Sequence, residues 1–175
     1  MARKAIIYVE GRSEDILLNG KSFRDFFSEK NYSVETKNLK GKGNILQNYK
    51  KFLKLQGTQY HLTILLYDRD SSPMKNSDKP KENESEIFHE AIQEVEAWFL
   101  ADHEEMKNID GNYKNSNDTQ NIESPKEKLI HIFQKAGKGF KNETSLAEHF
   151  KDRINLEEAQ KHNSSLQKFL NIFDN

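Results

Sequence analysis

The stretch IIYVEGRSED (residues 6–15) decides the fold class, because it runs from a buried strand through a carboxylate into a helix start. Residues 5–9 are continuously apolar, which is typical of a strand buried on both faces of a parallel sheet. Glu10 follows this strand, and open α/β sheets bind ligands beyond the carboxyl ends of their strands. Glu10 is therefore either a solvated loop residue or the first group of a site.

A helix is predicted directly after this strand. Ser13 is expected to be its N-cap, and Glu14 and Asp15 provide favourable charges for its first turn. Apolar residues continue at helical spacing as far as Phe27. Gly11 is expected to let the chain turn sharply into this helix. The first unit is a strand followed by a helix.

The alternation of strand and helix continues along the chain. A weakly alternating strand is predicted at 32–39, and an apolar helical stripe follows at 45–53. HLTILLY (61–67) is the second strongly buried strand. A further strand is predicted from 87 to about 93, before a short helix whose Trp98 we expect in the core. This order predicts an α/β fold with a mostly parallel central sheet flanked by helices.

Two polar segments, at 71–86 and 107–123, interrupt this pattern. Loops as long as the first are usually functional or disordered. The length of 175 residues suits one domain of ordinary size, and no firm boundary divides the chain. We expect a single domain over 1–175, in which the part from about 124 to 175 is a helical extension.

Helix-start signals appear twice in this C-terminal part. Ser124 and Glu127 have the spacing of a capping box, and Pro125 occupies the first helical position between them. The last helix is expected to be capped by Ser164 or Ser165.

Composition excludes several kinds of site. The chain has no cysteine, so disulfides, thiolate metal sites and a cysteine nucleophile are excluded. The 6 histidines show no pair at metal-ligand spacing, and a histidine metal site is not predicted. No apolar stretch approaches the ~20 residues of a membrane span, and because the first strand begins near residue 4 we expect no signal peptide. We therefore expect a cytoplasmic protein with no membrane contact.

Carboxylates also follow the later strands. Asp68 and Asp70 close the strand at 61–67, and their spacing points both to one side of an extended backbone. Glu94 and Glu96 follow the next strand, and one of them is expected to join the others. Taken singly, each is equally explained as a turn or cap residue.

Carboxylates that converge at one sheet edge repel each other unless a cation lies between them. Mg²⁺ binds one or two carboxylates and keeps waters that a phosphate substrate can replace. The sequence therefore predicts a site for a hard divalent cation at this edge.

The segment from 36 through 67 contains no acidic residue. This bias favours contact with a phosphate backbone, and it is equally consistent with an ordinary solvated helix face. Its lysines are Lys37, Lys40, Lys42, Lys50, Lys51 and Lys54.

The glutamate of VEGRSE and the Asp-x-Asp of YDRDSS resemble the Toprim pattern of primases, topoisomerases, small maturation ribonucleases and overcoming-lysogenization-defect nucleases. These two segments, with AIQEVEAWFLAD and SPKEKL after them, are similar to a narrower family of small Toprim-like proteins. Members of that family are often encoded beside an ATPase in bacterial defence loci. The resemblance touches most of the chain and implies a Toprim-like, Rossmann-like sandwich with additional C-terminal helices.

The resemblance also implies roles for the matching residues. Glu10 would be a metal ligand and the candidate general base. Lys126 would either steady a phosphate or be an ordinary first-turn helix lysine. The ligands implied for Mg²⁺ or Mn²⁺ are Glu10, Asp68, Asp70 and either Glu94 or Glu96.

Two functions are consistent with this resemblance. The first is a Mg²⁺-dependent nuclease or other phosphodiester-processing protein that acts on nucleic acid, with a partner ATPase, in anti-phage defence. The second is a non-catalytic subunit of a defence complex that binds metal or nucleotide. Basic residues around the acidic site would favour the first function, and an exposed apolar face would favour the second.

Overall fold

The computed structural model describes residues 1–40, 45–56, 59–69, 75, 79, 82–83, 85–92, 94–114, 118–139 and 143–174. Within these residues, four strands form one sheet in the order β2-β1-β3-β4, and all neighbouring strands are parallel. The predicted α/β class with a parallel central sheet is confirmed. The strands are β1 (Arg3–Val9), β2 (Tyr32–Asn38), β3 (Leu62–Arg69) and β4 (Glu86–Ile92).

Helices flank the sheet and make up the C-terminal part of the described chain. The segment before β2 and the segments after β4 supply most of them, and one helix connects β2 to β3. They are α1 (Arg12–Leu18), α2 (Lys21–Glu29), α3 (Ile45–Gln56), α4 (Glu96–Ala101), α5 (His103–Ile109), α6 (Pro125–Lys135), α7 (Glu143–Phe150), α8 (Leu156–Ala159) and α9 (Ser164–Asn171).

The side chains of β1 alternate between two apolar clusters, one on each face of the sheet. Ile7 and Val9 pack into the larger cluster, which also contains residues of the C-terminal helices. Ile6 and Tyr8 pack into a smaller cluster with Tyr49 of α3. Burial on both faces explains why the strand has no polar alternation.

Aromatic rings join the N-terminal helices to the C-terminal ones within the larger cluster. The ring of Trp98 lies 5.3 Å from Phe169 and 6.2 Å from Phe23, measured between centroids. Phe27 and Phe173 are 4.9 Å apart. Trp98 is fully buried, so its predicted place in the core is confirmed.

The helix predicted to continue to Phe27 is instead two helices, separated at Asn19 and Gly20. The backbone carbonyl of Lys151, just beyond α7, lies so close that a Cβ on Gly20 would be 2.2 Å from its oxygen. The contact that accompanies this break is therefore long-range in sequence, which is why local spacing did not reveal it.

Several predicted helix starts are wrong in detail. Gly11, not Ser13, is the N-cap of α1. Asn163, not Ser164 or Ser165, caps α9, and its Oδ1 accepts a hydrogen bond from Leu166 N at 2.8 Å. Ser124 does precede α6, but its side chain makes no capping hydrogen bond.

Short helices also form where the sequence indicated none. α5 extends into the segment predicted to be a polar stretch from 107, and α7 and α8 had no clear sequence signal. α8 spans only four residues. Tertiary packing supports helices of this length, because isolated short helices are marginal in water.

Candidate metal centre at the carboxyl edge of the sheet

The strand order brings the predicted carboxylates to one edge of the sheet. β1 and β3 are parallel neighbours, with Tyr8 opposite Leu65, so Glu10 and the end of β3 lie at the same edge. Asp68 lies within β3, opposite Ala91 of β4. Glu94 and Glu96 follow β4, which is the neighbour of β3 on the side away from β1.

Glu14 joins this edge from α1, although sequence reasoning treated it only as a favourable first-turn charge. Its side chain is buried, with 5% of the residue exposed, and its carboxyl group lies close enough to that of Asp68 to raise the pKa of Asp68. Glu14 Oε2 and Asp68 Oδ1 are also buried, and neither has a hydrogen-bond partner within the described part of the chain. Glu14 follows Glu10 by four residues, across the strand-to-helix junction, and this closeness in sequence is the signal that could have identified it.

The electrostatics of Asp68 reflect this crowding. Burial raises the pKa of Asp68 well above its ordinary value, and Glu14 adds to the effect through its charge. The charges of Glu96 and Glu10 act in the same direction. Two carboxyl groups this close require a shared proton or a cation between them.

Glu96 occupies the first position of α4 and is 5% exposed. Burial raises its pKa to about 7, and the charge of Glu94 contributes to this rise. Lys126, in the first turn of α6, acts on Glu96 in the opposite direction. The positive charge of a lysine therefore acts on the acidic group, as expected if the edge receives an anionic substrate.

Glu10 is also buried, with 8% of the residue exposed. Its charge raises the pKa of Asp68 and, after the larger effect of burial, that of Tyr67. We call Glu10, Glu14, Asp68 and Glu96 the acidic cluster. Asp70 lies outside the described residues.

Gly11 leaves space beside the acidic cluster. A Cβ at this position would lie 2.9 Å from Glu14 Oε2. The chain bends at Glu10 and Gly11 before α1, as predicted, but the backbone of Gly11 is extended, with φ −131° and ψ −173°, a conformation open to any residue. The absence of a side chain, and not backbone freedom, is what the site uses here.

The donor chemistry of the acidic cluster fits a hard divalent cation, because every donor is a carboxylate oxygen, and Glu14 Oε2 and Asp68 Oδ1 are buried with no hydrogen-bond partner among the described residues. Mutual repulsion favours separation of the carboxylates in the absence of a cation. Among the described residues, only His103, Glu158 and His162 bring three ligand atoms within 4.8 Å of one another. The carboxylate oxygens of the acidic cluster therefore lie farther apart than the ligands of an occupied metal site.

The lysine-rich segment presents its charges to solvent. Lys37, Lys50, Lys51 and Lys54 are exposed. Lys37 Nζ lies 5.2 Å from the centroid of the Phe52 ring, so it packs over α3. The predicted basic face is thus present on β2 and α3. Lys42 lies outside the described residues.

Comparison with known proteins gives structural neighbours but no family. No family model matches the chain, and no curated protein matches it. The chain is similar to the C-terminal region of the Burkholderia pseudomallei OLD protein, with 17% identity, coverage of 99% of this chain and 98% of that one, and a TM-score of 0.47. The corresponding region of the Xanthomonas campestris pv. campestris OLD protein gives 16% identity, 96% coverage of both chains and a TM-score of 0.39. No residue role follows from likenesses at this level.

None of the helices that the structure describes has the length and apolar composition needed to cross a membrane.

Proposed function

We propose that this protein is a Mg²⁺- or Mn²⁺-dependent nuclease whose metal centre is the acidic cluster. One observation carries this proposal: the carboxyl groups of Glu14 and Asp68 share a buried site at the carboxyl edge of the sheet. Without a cation, a buried pair of this kind is costly unless it holds a proton.

Each residue of the cluster has a distinct role in this proposal. Asp68 and Glu14 would hold the ion from β3 and α1, and Glu96 would complete the set from α4. A bound divalent cation supplies a water of lowered pKa and neutralises charge on phosphate oxygens. Glu10 would accept the proton of the attacking water or act as a further ligand. Asp70 is proposed as a ligand on sequence grounds alone.

Lys126 is proposed to contact a phosphate oxygen of the substrate. Its proximity to Glu96 places a positive charge beside the acidic cluster, where negative charge develops during phosphodiester cleavage. Glu94, which also acts on Glu96, is proposed to support that side chain rather than to replace it as a ligand.

A nucleic acid is the proposed substrate. The exposed lysines of β2 and α3 would bind its backbone through charge, without reading sequence. Action with a partner ATPase in anti-phage defence is part of the proposal on the basis of the sequence resemblance.

The alternative function, a non-catalytic subunit of a defence complex, would be favoured by an exposed apolar face. Among the described residues, the only large hydrophobic residue that is exposed is Met1. The lysine beside Glu96 instead supports phosphate chemistry, so the nuclease is the function that the geometry supports best.

The proposal is tested by titrating Mg²⁺ and Mn²⁺ into wild type, Glu14→Gln and Asp68→Asn in a calorimeter. Cleavage of single- and double-stranded DNA and RNA is assayed in parallel. Glu29→Gln, at an exposed position of α2, is the matched control. We expect both cluster variants to lose metal affinity and cleavage, while the control retains both.

Two outcomes would contradict the proposal. Unchanged metal affinity in both cluster variants would remove the metal centre. Metal binding by wild type without cleavage of any nucleic acid, with or without an ATPase partner, would favour the non-catalytic function.

A further inference from the structure

A second group of metal-ligating side chains lies among the helices. It contains His103 at the start of α5, Glu158 in α8 and His162 shortly after α8. One ligand atom from each lies within 4.8 Å of the others. The two imidazole rings are 3.7 Å apart between centroids, with an angle of 32° between their planes. Sequence spacing did not predict this group, because only the fold brings His103 to the other two.

His103 is the residue that ordinary packing leaves unexplained. Only 2% of its surface is exposed, and neither ring nitrogen has a hydrogen-bond partner within the described part of the chain. A buried polar group without a partner typically costs about 1–3 kcal/mol. A bound cation would take up the lone pair of one ring nitrogen and remove part of this cost.

Ordinary contacts explain part of the surroundings of His162 and Glu158. His162 Nε2 lies 3.2 Å from Glu158 Oε1, which is an ordinary contact between residues four apart in sequence. Lys161 pairs with the other oxygen of Glu158, Oε2, at 3.1 Å. Because Lys161 occupies Oε2, Oε1 remains directed at the histidine pair.

The backbone around this group is held by a hydrogen-bond network. Asp102 accepts hydrogen bonds from Glu105 N at 3.1 Å and from Asn155 N at 2.7 Å, so it caps α5 and ties it to the start of α8. Asn155 Oδ1 in turn accepts from Glu158 N at 3.2 Å. Supporting contacts of this kind fix the positions of metal ligands in known sites.

A separate set of backbone contacts holds His162 in place. The backbone carbonyl of His162 accepts hydrogen bonds from Thr119 N at 2.9 Å and Thr119 Oγ1 at 3.1 Å. Thr119 is fully buried, and its single hydroxyl proton is shared between this carbonyl and the closer one of Ala97, at 2.7 Å. His162 is thus anchored to α4 independently of its ring.

We propose that His103, Glu158 and His162 bind a divalent transition-metal ion, Zn²⁺, at a site separate from the acidic cluster. Two imidazoles and one carboxylate are a ligand set that suits Zn²⁺, whereas carboxylates alone suit Mg²⁺ or Mn²⁺. Donors around tetrahedral Zn²⁺ lie ~3.3 Å apart, so binding requires only a modest closure of the group.

The site leaves one coordination position for water and links α5 to α8 and the turn that follows it. The bound ion would therefore stabilise the packing of the C-terminal helices. This inference does not depend on the proposed nuclease function, since none of the three residues belongs to the acidic cluster.

The test is a Zn²⁺ titration of the metal-free full chain, followed through the ¹⁵N resonances of the histidine rings. We expect one equivalent of Zn²⁺ to shift the ring nitrogens of His103 and His162, while those of exposed His131 do not move. Ring resonances report on this site even when Zn²⁺ also binds carboxylates elsewhere.

His162→Gln and Glu158→Gln provide the affinity test, because both positions are partly exposed and tolerate a polar amide. Each should weaken Zn²⁺ binding at least about tenfold, as loss of a supporting residue alone does in known sites. His131→Gln, the control, should bind as wild type does. Unmoved His103 and His162 resonances, or undiminished affinity in both variants, would overturn the site.

Discussion

The carboxyl group of Glu14, in the first turn of α1, lies beside that of Asp68, near the end of β3, and raises its pKa. This contact joins the two segments that the sequence marks most strongly, the first strand-to-helix unit and the Asp-x-Asp strand. In the absence of a cation, the pair is stable only when it holds a proton. Its stability therefore depends on pH and on metal.

Glu96 provides the clearest pH prediction. Its pKa is raised from 4.5 to about 7 in the folded protein, so between these values the folded state holds a proton that the unfolded state has released. This group therefore stabilises the metal-free fold below pH 4.5, and the contribution is lost as pH rises to 7.

The measurement compares the free energy of unfolding of wild type and Glu96→Gln in EDTA. Relative to the variant, the free energy of unfolding of wild type should fall by about 2–3 kcal/mol between pH 4.5 and 7, because each unit of pKa shift corresponds to about 1.36 kcal/mol. His89 and His103, whose pKa values are both lowered to about 4, give the opposite slope in both proteins, so their effect cancels in the difference. A difference that is independent of pH would contradict a raised pKa for Glu96.

Gly11→Ala should affect the metal centre more than the fold. The new Cβ would come within 2.9 Å of Glu14 Oε2, and the flexible glutamate side chain can move away from it. The backbone at Gly11 is extended, so alanine adds no strain. We expect less than about 1 kcal/mol loss of stability, and a clear loss of Mn²⁺ affinity by calorimetry. Wild-type Mn²⁺ affinity in this variant would show that the position of Glu14 is unimportant.

Gly20→Ala, in contrast, should affect the stability of the fold more than the metal centre. Its Cβ would lie 2.2 Å from the backbone oxygen of Lys151, which cannot rotate away. Overpacking of this kind typically costs about 1–3 kcal/mol, and a backbone clash puts this variant at the upper end. Urea denaturation measures the loss, with Gly139→Ala as the control because no atom of the described residues lies within 4 Å of a Cβ there. Equal stability of the two variants would contradict the close approach of Gly20 to Lys151.

Much of the fold could be predicted from the sequence, because the apolar runs of β1 and β3 identify strands that are buried on both faces. The place of Glu14 could not be predicted with the same certainty. An acidic residue in a first turn is favourable through the helix dipole alone, and its burial depends on the angle at which α1 leaves β1. The break at Gly20 and the meeting of His103 with His162 depend on contacts that are distant in sequence.

Lys126→Gln should reduce cleavage without removing metal. In the proposed nuclease, this lysine stabilises charge on the phosphate, and loss of one such group typically lowers kcat by about 10²–10³. Lys128→Gln, in the same turn of α6, is the matched control and should cleave as wild type does. If the two variants cleave nucleic acid at equal rates and bind Mn²⁺ with equal affinity, Lys126 is an ordinary surface residue of α6 and takes no part in catalysis.

The most direct test of the metal centre is the thermal unfolding midpoint of Asp68→Asn compared with wild type, measured in EDTA and in Mn²⁺. Without metal, the variant should be the more stable protein at pH 8, because folding raises the pKa of Asp68 and therefore costs stability at a pH where the carboxyl group is ionised in the unfolded chain. With Mn²⁺, wild type should gain stability by binding the ion, and the order should reverse. A variant that stays below wild type in EDTA, or an order unchanged by Mn²⁺, would contradict a metal centre built on Asp68.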